Sequence, residues 1–249
     1  MADKKRVAVV TGAANGIGRA VALRLAAGGF VVALVDLEED NAAKVEAEIR
    51  VAGSEAKAYG IDATDERQVK NVIADVVRQH GGVDAIANIA GGTEYLKRVE
   101  ELTWEEWKAE LNRNLKTTFL FCREVTPIMM DQRCGRIVNT ASNYGLTGAA
   151  LRTPYSAAKA AIIGFSKSLA LELGPFGVLV NIIAPGPTDT PRVLAKSTAE
   201  ARRRWQGLIP LGRTAQAADI AEGVMFLVGP ESNYMSGQTL HVNGGLVMS

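Results

Sequence analysis

The sequence predicts an α/β fold: a single domain built on one doubly wound, seven-stranded parallel sheet with helices on both faces. Three observations support this. Short apolar runs rich in β-branched residues recur along the chain and read as strands buried on both faces. Longer helical patterns separate them, so strand and helix alternate throughout. No repeat, low-complexity tract or linker interrupts the 249 residues, a length that suits one large domain.

The first strand, Arg6 to Val10, runs into Thr11-Gly12-Ala13-Ala14-Asn15-Gly16-Ile17-Gly18 and then a helical pattern through Val21, Leu23 and Leu25. A glycine turn between strand and helix lets backbone approach a pyrophosphate, which the free N–H groups and positive end of the helix receive. That is the arrangement of a Rossmann dinucleotide site, although a tight structural turn gives the same local pattern. The second strand, Phe30 to Val35, ends at Asp36. A carboxylate there accepts hydrogen bonds from the adenosine ribose hydroxyls and repels a 2′-phosphate. Neither Asn15 nor Leu37 supplies a cation for such a phosphate, so NAD is favoured over NADP. Capping the next helix is a second role open to Asp36.

Helices follow over about 39–52 and 65–80, with a strand at 55–61 between them and Asp62-Ala63-Thr64-Asp65 as the helix start. A strand at 83–89 precedes Ala90-Gly91-Gly92, where backbone can approach a ligand closely. One long helix is predicted over about 103–132, then a strand at 136–141 ending in Ser142-Asn143-Tyr144. A helix to about Leu173 and strands at 178–183 and 237–242 complete the alternation. One segment breaks it, Pro185-Gly186-Pro187-Thr188-Asp189-Thr190-Pro191 and a charged helical piece beyond. Its position past the C-terminal edge of a strand predicts a substrate lid over about 187–210.

Composition narrows the function classes. With 47% hydrophobic residues the chain can bury a sizeable core. Lys and Arg total 28 against 27 acidic residues, with no basic field that would make nucleic acid the main partner. No apolar run is long enough to span a bilayer, and Met1 to Arg6 leads straight into a strand, so a cytoplasmic protein without membrane partners is expected. Cys122 and Cys134 have neither metal-ligand nor disulfide-framework spacing, and no metal is expected. His80 and His241 are far apart and no G-x-S-x-G elbow is present, which argues against a histidine triad.

Tyr155 and Lys159 stand four residues apart, one helical turn, on the same face. A phenol is a poor proton donor or acceptor near neutrality, and an adjacent ammonium is expected to lower its pKa. The pair can therefore move a proton on and off an alcohol oxygen. Spacing alone also fits a solvated helix face.

Assembled, the chain resembles a short-chain dehydrogenase/reductase over nearly its whole length. The matches are Thr11-Gly12-x-x-x-Gly16-Ile17-Gly18, Asn88-Ile89-Ala90-Gly91, Asn114, Ser142, Tyr155-x-x-x-Lys159, Asn181 and Pro185-Gly186. The resemblance implies that Tyr155 is the general acid/base and that Lys159 lowers its pKa and binds the nicotinamide ribose. It implies that Ser142 holds the substrate oxygen and that Asn114 helps hold a water linking Lys159 to solvent. Asp62 and Ala63 flank the adenine by the same likeness, and Asn88, Ala90 and Gly91 border the cofactor. Pro185, Gly186, Thr188 and Thr190, with Ile183, approach the nicotinamide. Candidate substrate contacts are Glu94, Tyr95, Asn143, Tyr144, Leu151, Arg152 and the lid from Arg192 to Leu208.

The function so implied is interconversion of a small-molecule secondary alcohol and a ketone by hydride transfer with NAD(H), in a homotetramer. The ending from Ser236 to Gly245 resembles the 3-oxoacyl-(acyl carrier protein) reductase branch, which makes an NADPH-dependent reductase of that kind the alternative. A fainter likeness is to dehydrogenases of hydroxy-cycloalkane carboxyl-CoA substrates. A non-catalytic dinucleotide sensor is the remaining possibility, opposed by the intact Asn114, Ser142, Tyr155 and Lys159.

Overall fold

Strands β1 (Arg6–Thr11), β2 (Phe30–Asp36), β3 (Ala56–Gly60), β4 (Ala85–Asn88), β5 (Gly135–Thr140), β6 (Val178–Pro185) and β7 (Thr239–Val242) form one sheet in a computed structural model that describes residues 5–248. Their order is β3-β2-β1-β4-β5-β6-β7 and every pairing is parallel. The chain runs outward from β1 to β3, then returns to lay β4 on the other side of β1. That reversal opens a crevice at the C-terminal edge of the sheet, where ligands bind in folds of this kind.

The strands read as continuous apolar runs because both faces are covered. Successive side chains of a strand point to opposite faces. Ala8 and Val10 accordingly join a core with α1 (Gly16–Ala27), α2 (Glu39–Val51) and α9 (Ala217–Val228), through Val21, Leu25, Ile49 and Val224. Val7 and Val9 face the other way, into a core with α3 (Glu66–His80), α5 (Thr117–Gln132) and α6 (Thr153–Leu173). Val76, Phe121 and Val125 fill that second layer, each at 0% exposure, and fully burying such a side chain is worth about 1.5–3 kcal/mol. Helix boundaries follow the chemistry of the sequence. Asp65 caps α3 by accepting the Gln68 N–H, and Gly81, at φ 77°, ends it in the left-handed conformation.

Three differences from the sequence reading shape the site. The long helix predicted over 103–132 is interrupted: α4 (Trp104–Leu111) passes through a π-helical turn, Asn112–Lys116, before α5 resumes. Such turns displace one side chain from the regular helical rows, and this one carries Asn114. Strand β4 stops at Asn88 because the Ile89 and Ala90 N–H groups turn away to the Thr11 hydroxyl, each at 3.0 Å. The excursion beyond β6 folds as two helices, α7 (Pro191–Lys196) and α8 (Ala199–Leu208), anchored by a two-residue pairing of Thr188–Asp189 with Ala215–Gln216.

Candidate active site

The glycine turn is shaped for close backbone contact. A Cβ on Gly18 would lie 1.9 Å from the Gly12 carbonyl oxygen, so helix α1 and the turn touch main chain to main chain. Gly12, at φ 67°, brings β1 against Ala90. Asn15 starts α1 without a capping hydrogen bond, and its amide goes instead to Glu38 at 3.0 Å. The first turn of α1, from Gly16 to Gly18, therefore has no side-chain cap at the positive end of the helix, which fits a pyrophosphate. Asp36 is held at the tip of β2: its two carboxylate oxygens accept the Ala14 and Glu38 N–H groups at 2.9 and 3.0 Å. Leu37 beside it is exposed and Asp62 is committed to a turn, accepting from both the N–H and the hydroxyl of Thr64. Ala63 packs partly buried at the same edge of the sheet.

The chemical groups gather one strand over. Ser142, at the end of β5, is buried; its hydroxyl accepts the Tyr144 N–H and donates to Asn143, each at 3.2 Å. Tyr155 and Lys159 lie on one face of α6, with the ammonium 5.8 Å from the centre of the phenol ring. Lys159 is buried and donates to the Thr140 carbonyl at 2.7 Å. Asn114 is fully buried: its oxygen accepts the Gly92 N–H at 2.9 Å, and its amide donates to the Gly92 and Glu110 carbonyls. Gly91 sits between Asn114 and Lys159, with a Cβ there falling 2.6 Å from the Asn114 oxygen and 3.5 Å from the Lys159 nitrogen.

The electrostatics correct one expectation. Burial pushes the Tyr155 phenol above its ordinary pKa, the Ser142 hydroxyl and the charge of Arg152 pulling against it. Lys159 does not reverse this, because burial brings the ammonium itself down to about 7 while the Glu110 carboxylate pulls it up. A lysine that loses its proton near neutrality lends the phenolate only part of a charge. The depressed value has a consequence for stability. Between about pH 7 and 10.5 the unfolded chain binds more protons at this lysine than the folded one, so its contribution rises with pH across that window. Below pH 7 the penalty is complete, on the order of a few kcal/mol. Lys159→Met is therefore expected to melt at a higher temperature, relative to wild type, at pH 6 than at pH 10. A melting difference that did not shrink with rising pH would show that the lysine is not buried in its charged form.

Several sequence-stated roles change place. The Asn88 side chain points into the core, not the crevice, donating to Asn139 at 2.8 Å, and Asn139 in turn donates to Ser166. Ile183 is also wholly within the core. Glu94 is not a solitary loop acid: Arg113, Arg192 and Lys196 all pair with it, at 3.4, 3.1 and 3.0 Å. Arg192 also donates to the Gly91 and Thr93 carbonyls, so α7 of the lid is fastened to the loop beside Asn114. Leu151 is 46% exposed and sits at φ 64°, its carbonyl accepting the Lys97 N–H.

The remaining candidates stand beyond the ends of β5 and β6 and beside the lid helices. Pro185 ends β6, and Gly186 lies so close to Asn243 that a Cβ would come within 2.8 Å. Thr188 is buried and donates to the Gly186 carbonyl, while Thr190 caps α7 and touches Gly16 across the crevice. Asn143 and Tyr144 line a cavity of about 580 Å³ with Trp205, Leu208, Leu246 and Val247, under the second lid helix. Arg152 lays its guanidinium over the Tyr144 ring, 5.6 Å from the centroid, and Tyr95 is half-buried on the neighbouring loop. Sequence reading missed Glu110 and Thr140, whose parts depend on partners 16 and 19 residues away.

A family model described as enoyl-(acyl carrier protein) reductase matches residues 12–247. The chain belongs to the short-chain dehydrogenase/reductase family. Curated relatives of similar length carry the name 3-oxoacyl-[acyl-carrier-protein] reductase FabG. The Thermotoga maritima protein is 37% identical over 98% of each chain, and the Salmonella typhimurium protein 37% over 100% of each. The Staphylococcus aureus protein is 39% identical over 97% of this chain and 98% of its own. Among solved structures, the crystal structure of gox2181 superposes with a TM-score of 0.93 at 31% identity, covering 98% of this chain and 96% of that one. As a short-chain dehydrogenase/reductase the chain is an oxidoreductase that works with a nicotinamide dinucleotide.

Proposed function

We propose that this short-chain dehydrogenase/reductase interconverts a ketone and a secondary alcohol with NAD(H), and that the ketone is a 3-oxoacyl compound. The observation that carries the reaction is the grouping of Ser142, Tyr155 and Lys159 at the end of β5 and on the adjoining face of α6. A bound nicotinamide dinucleotide supplies or accepts the hydride. The chain does the rest. Ser142 and the Tyr155 hydroxyl polarise the carbonyl oxygen, and Tyr155 gives it a proton as it becomes an alkoxide; in the reverse direction the phenolate removes the proton. The raised phenol pKa keeps Tyr155 protonated at neutral pH, which favours the reducing direction.

Two lines support the finer identity and they do not fully agree. The names of the relatives favour a 3-oxoacyl thioester over a simple alcohol as substrate. They also lend weight to the second reading, an NADPH-dependent 3-oxoacyl-(acyl carrier protein) reductase. Asp36 opposes the NADPH part. Its carboxylate is pinned by two backbone N–H groups where a 2′-phosphate would need a cation. NADH is therefore expected to bind at least about tenfold more tightly than NADPH, a difference of about 1.4 kcal/mol. Titrating both against tryptophan fluorescence measures it, and Asp36→Ala should narrow the gap. Equal or tighter NADPH binding would replace this reading with the second. Turnover of a 3-oxoacyl-CoA thioester beside simple cyclic ketones tests the substrate class.

A further inference from the structure

Glu110 is a buried carboxylate that the hydride-transfer reaction does not use. It is the one fully buried residue of α4, at 0% exposure, on a helix that packs against α6. Among the described residues no Lys or Arg comes within ion-pairing distance of it. Its two oxygens accept the Glu94 N–H at 3.3 and 3.2 Å, and its backbone carbonyl accepts from Asn114 one turn on. Burying an unpaired carboxylate is costly, and a glutamine would accept the same N–H at less expense. The charge itself therefore has a use.

We propose that Glu110 is the counter-charge of Lys159, a positioning residue that keeps the buried side chain an ammonium so that it can hold the nicotinamide ribose. The geometry is a short stack from α4 to α6. Glu110 and Asn114 grip the 92–94 backbone from one side, and Gly91, in the same loop, lies against the Lys159 nitrogen on the other. The charged groups around Glu110 are few. Lys159 and Tyr155 face it from α6, Arg113 from the π-helical turn, and Arg192 from the lid; Glu94 lies on the loop between, already paired with three cations. Burial raises the Glu110 pKa while Arg113 and Arg192 pull it down, and its charge raises the pKa of both Lys159 and Tyr155.

Two substitutions separate charge from hydrogen bonding. Glu110→Gln keeps an acceptor for the Glu94 N–H and removes the charge; Glu110→Asp keeps the charge and shortens the reach. The titration of Lys159, followed by NMR of its side-chain Cε resonance and assigned by its loss in Lys159→Arg, is the direct readout. Its midpoint should fall by about one pH unit or more in the Gln variant, a tenfold weaker hold on the proton, and stay within a few tenths in the Asp variant. NADH affinity at pH 7 should fall about fivefold in Gln and little in Asp. A Gln variant with the wild-type midpoint would overturn the proposal. So would an Asp variant displaced in midpoint, which keeps the test decisive even if the Gln protein does not fold.

Discussion

Tyr155→Phe is expected to lower turnover by about 10²–10⁴-fold while NADH binds as in wild type. The expectation follows from what the hydroxyl does and what the ring does. The hydroxyl gives or takes the proton at the substrate oxygen, and general acid–base catalysis of that kind accounts for about 3–5 kcal/mol of barrier. The ring contributes packing on α6 beside Lys159, and phenylalanine preserves that packing. Fold and cofactor binding should therefore survive, as judged by melting temperature and NADH fluorescence. The pH dependence of the residue left behind is a second check. In wild-type alcohol oxidation the rate should climb with pH toward the raised phenol pKa, since the phenolate is the base. In the phenylalanine variant that climb should vanish. A variant retaining wild-type turnover would place the acid/base elsewhere.

The residues that could be found from the sequence were those whose meaning is local. The glycine turn, the carboxylate closing β2 and the Tyr155–Lys159 pair each lie within a few residues of the element that gives them geometry. The doubly wound parallel sheet followed from the same alternation, because buried parallel strands joined by helices leave few topologies. Depth was not legible. The expected fall in the Tyr155 pKa became a rise because burial disfavours the phenolate, and spacing reveals the neighbouring lysine but not the depth at which either group lies. The family resemblance placed Asn88 beside the cofactor, yet its parity along β4 turns its side chain into the core toward Asn139. Glu94 could be seen as a loop acid, but its three cations come from α7 and the π-helical turn. Glu110 is the sharpest case: in the sequence it is one of several acids on a charged helix, and only the packing of α4 on α6 isolates it from water.

The second large effect is steric. Gly18→Ala should weaken dinucleotide binding by orders of magnitude without unfolding the sheet. The new methyl carbon would fall 1.9 Å from the Gly12 carbonyl oxygen and 2.6 Å from the Gly12 carbonyl carbon, distances no side-chain rotation can relieve because both atoms are backbone. Helix α1 must then move away from the turn, carrying with it the N–H groups aimed at the pyrophosphate. The displacement cannot be absorbed on the far side. Val21, Ala22 and Leu25 are buried against α9 and the sheet, and such interiors pack too densely to yield several tenths of an ångström freely. Some stability is lost as well, about 1–3 kcal/mol for an overpacked contact. Gly29→Ala is the matched control: a Cβ there meets nothing within 4 Å, so its cost is confined to the positive φ of 84°. If Gly18→Ala and Gly29→Ala bound NADH equally well, the contact between α1 and the turn would not be what shapes the cofactor site, and the pyrophosphate would have to be held by other backbone.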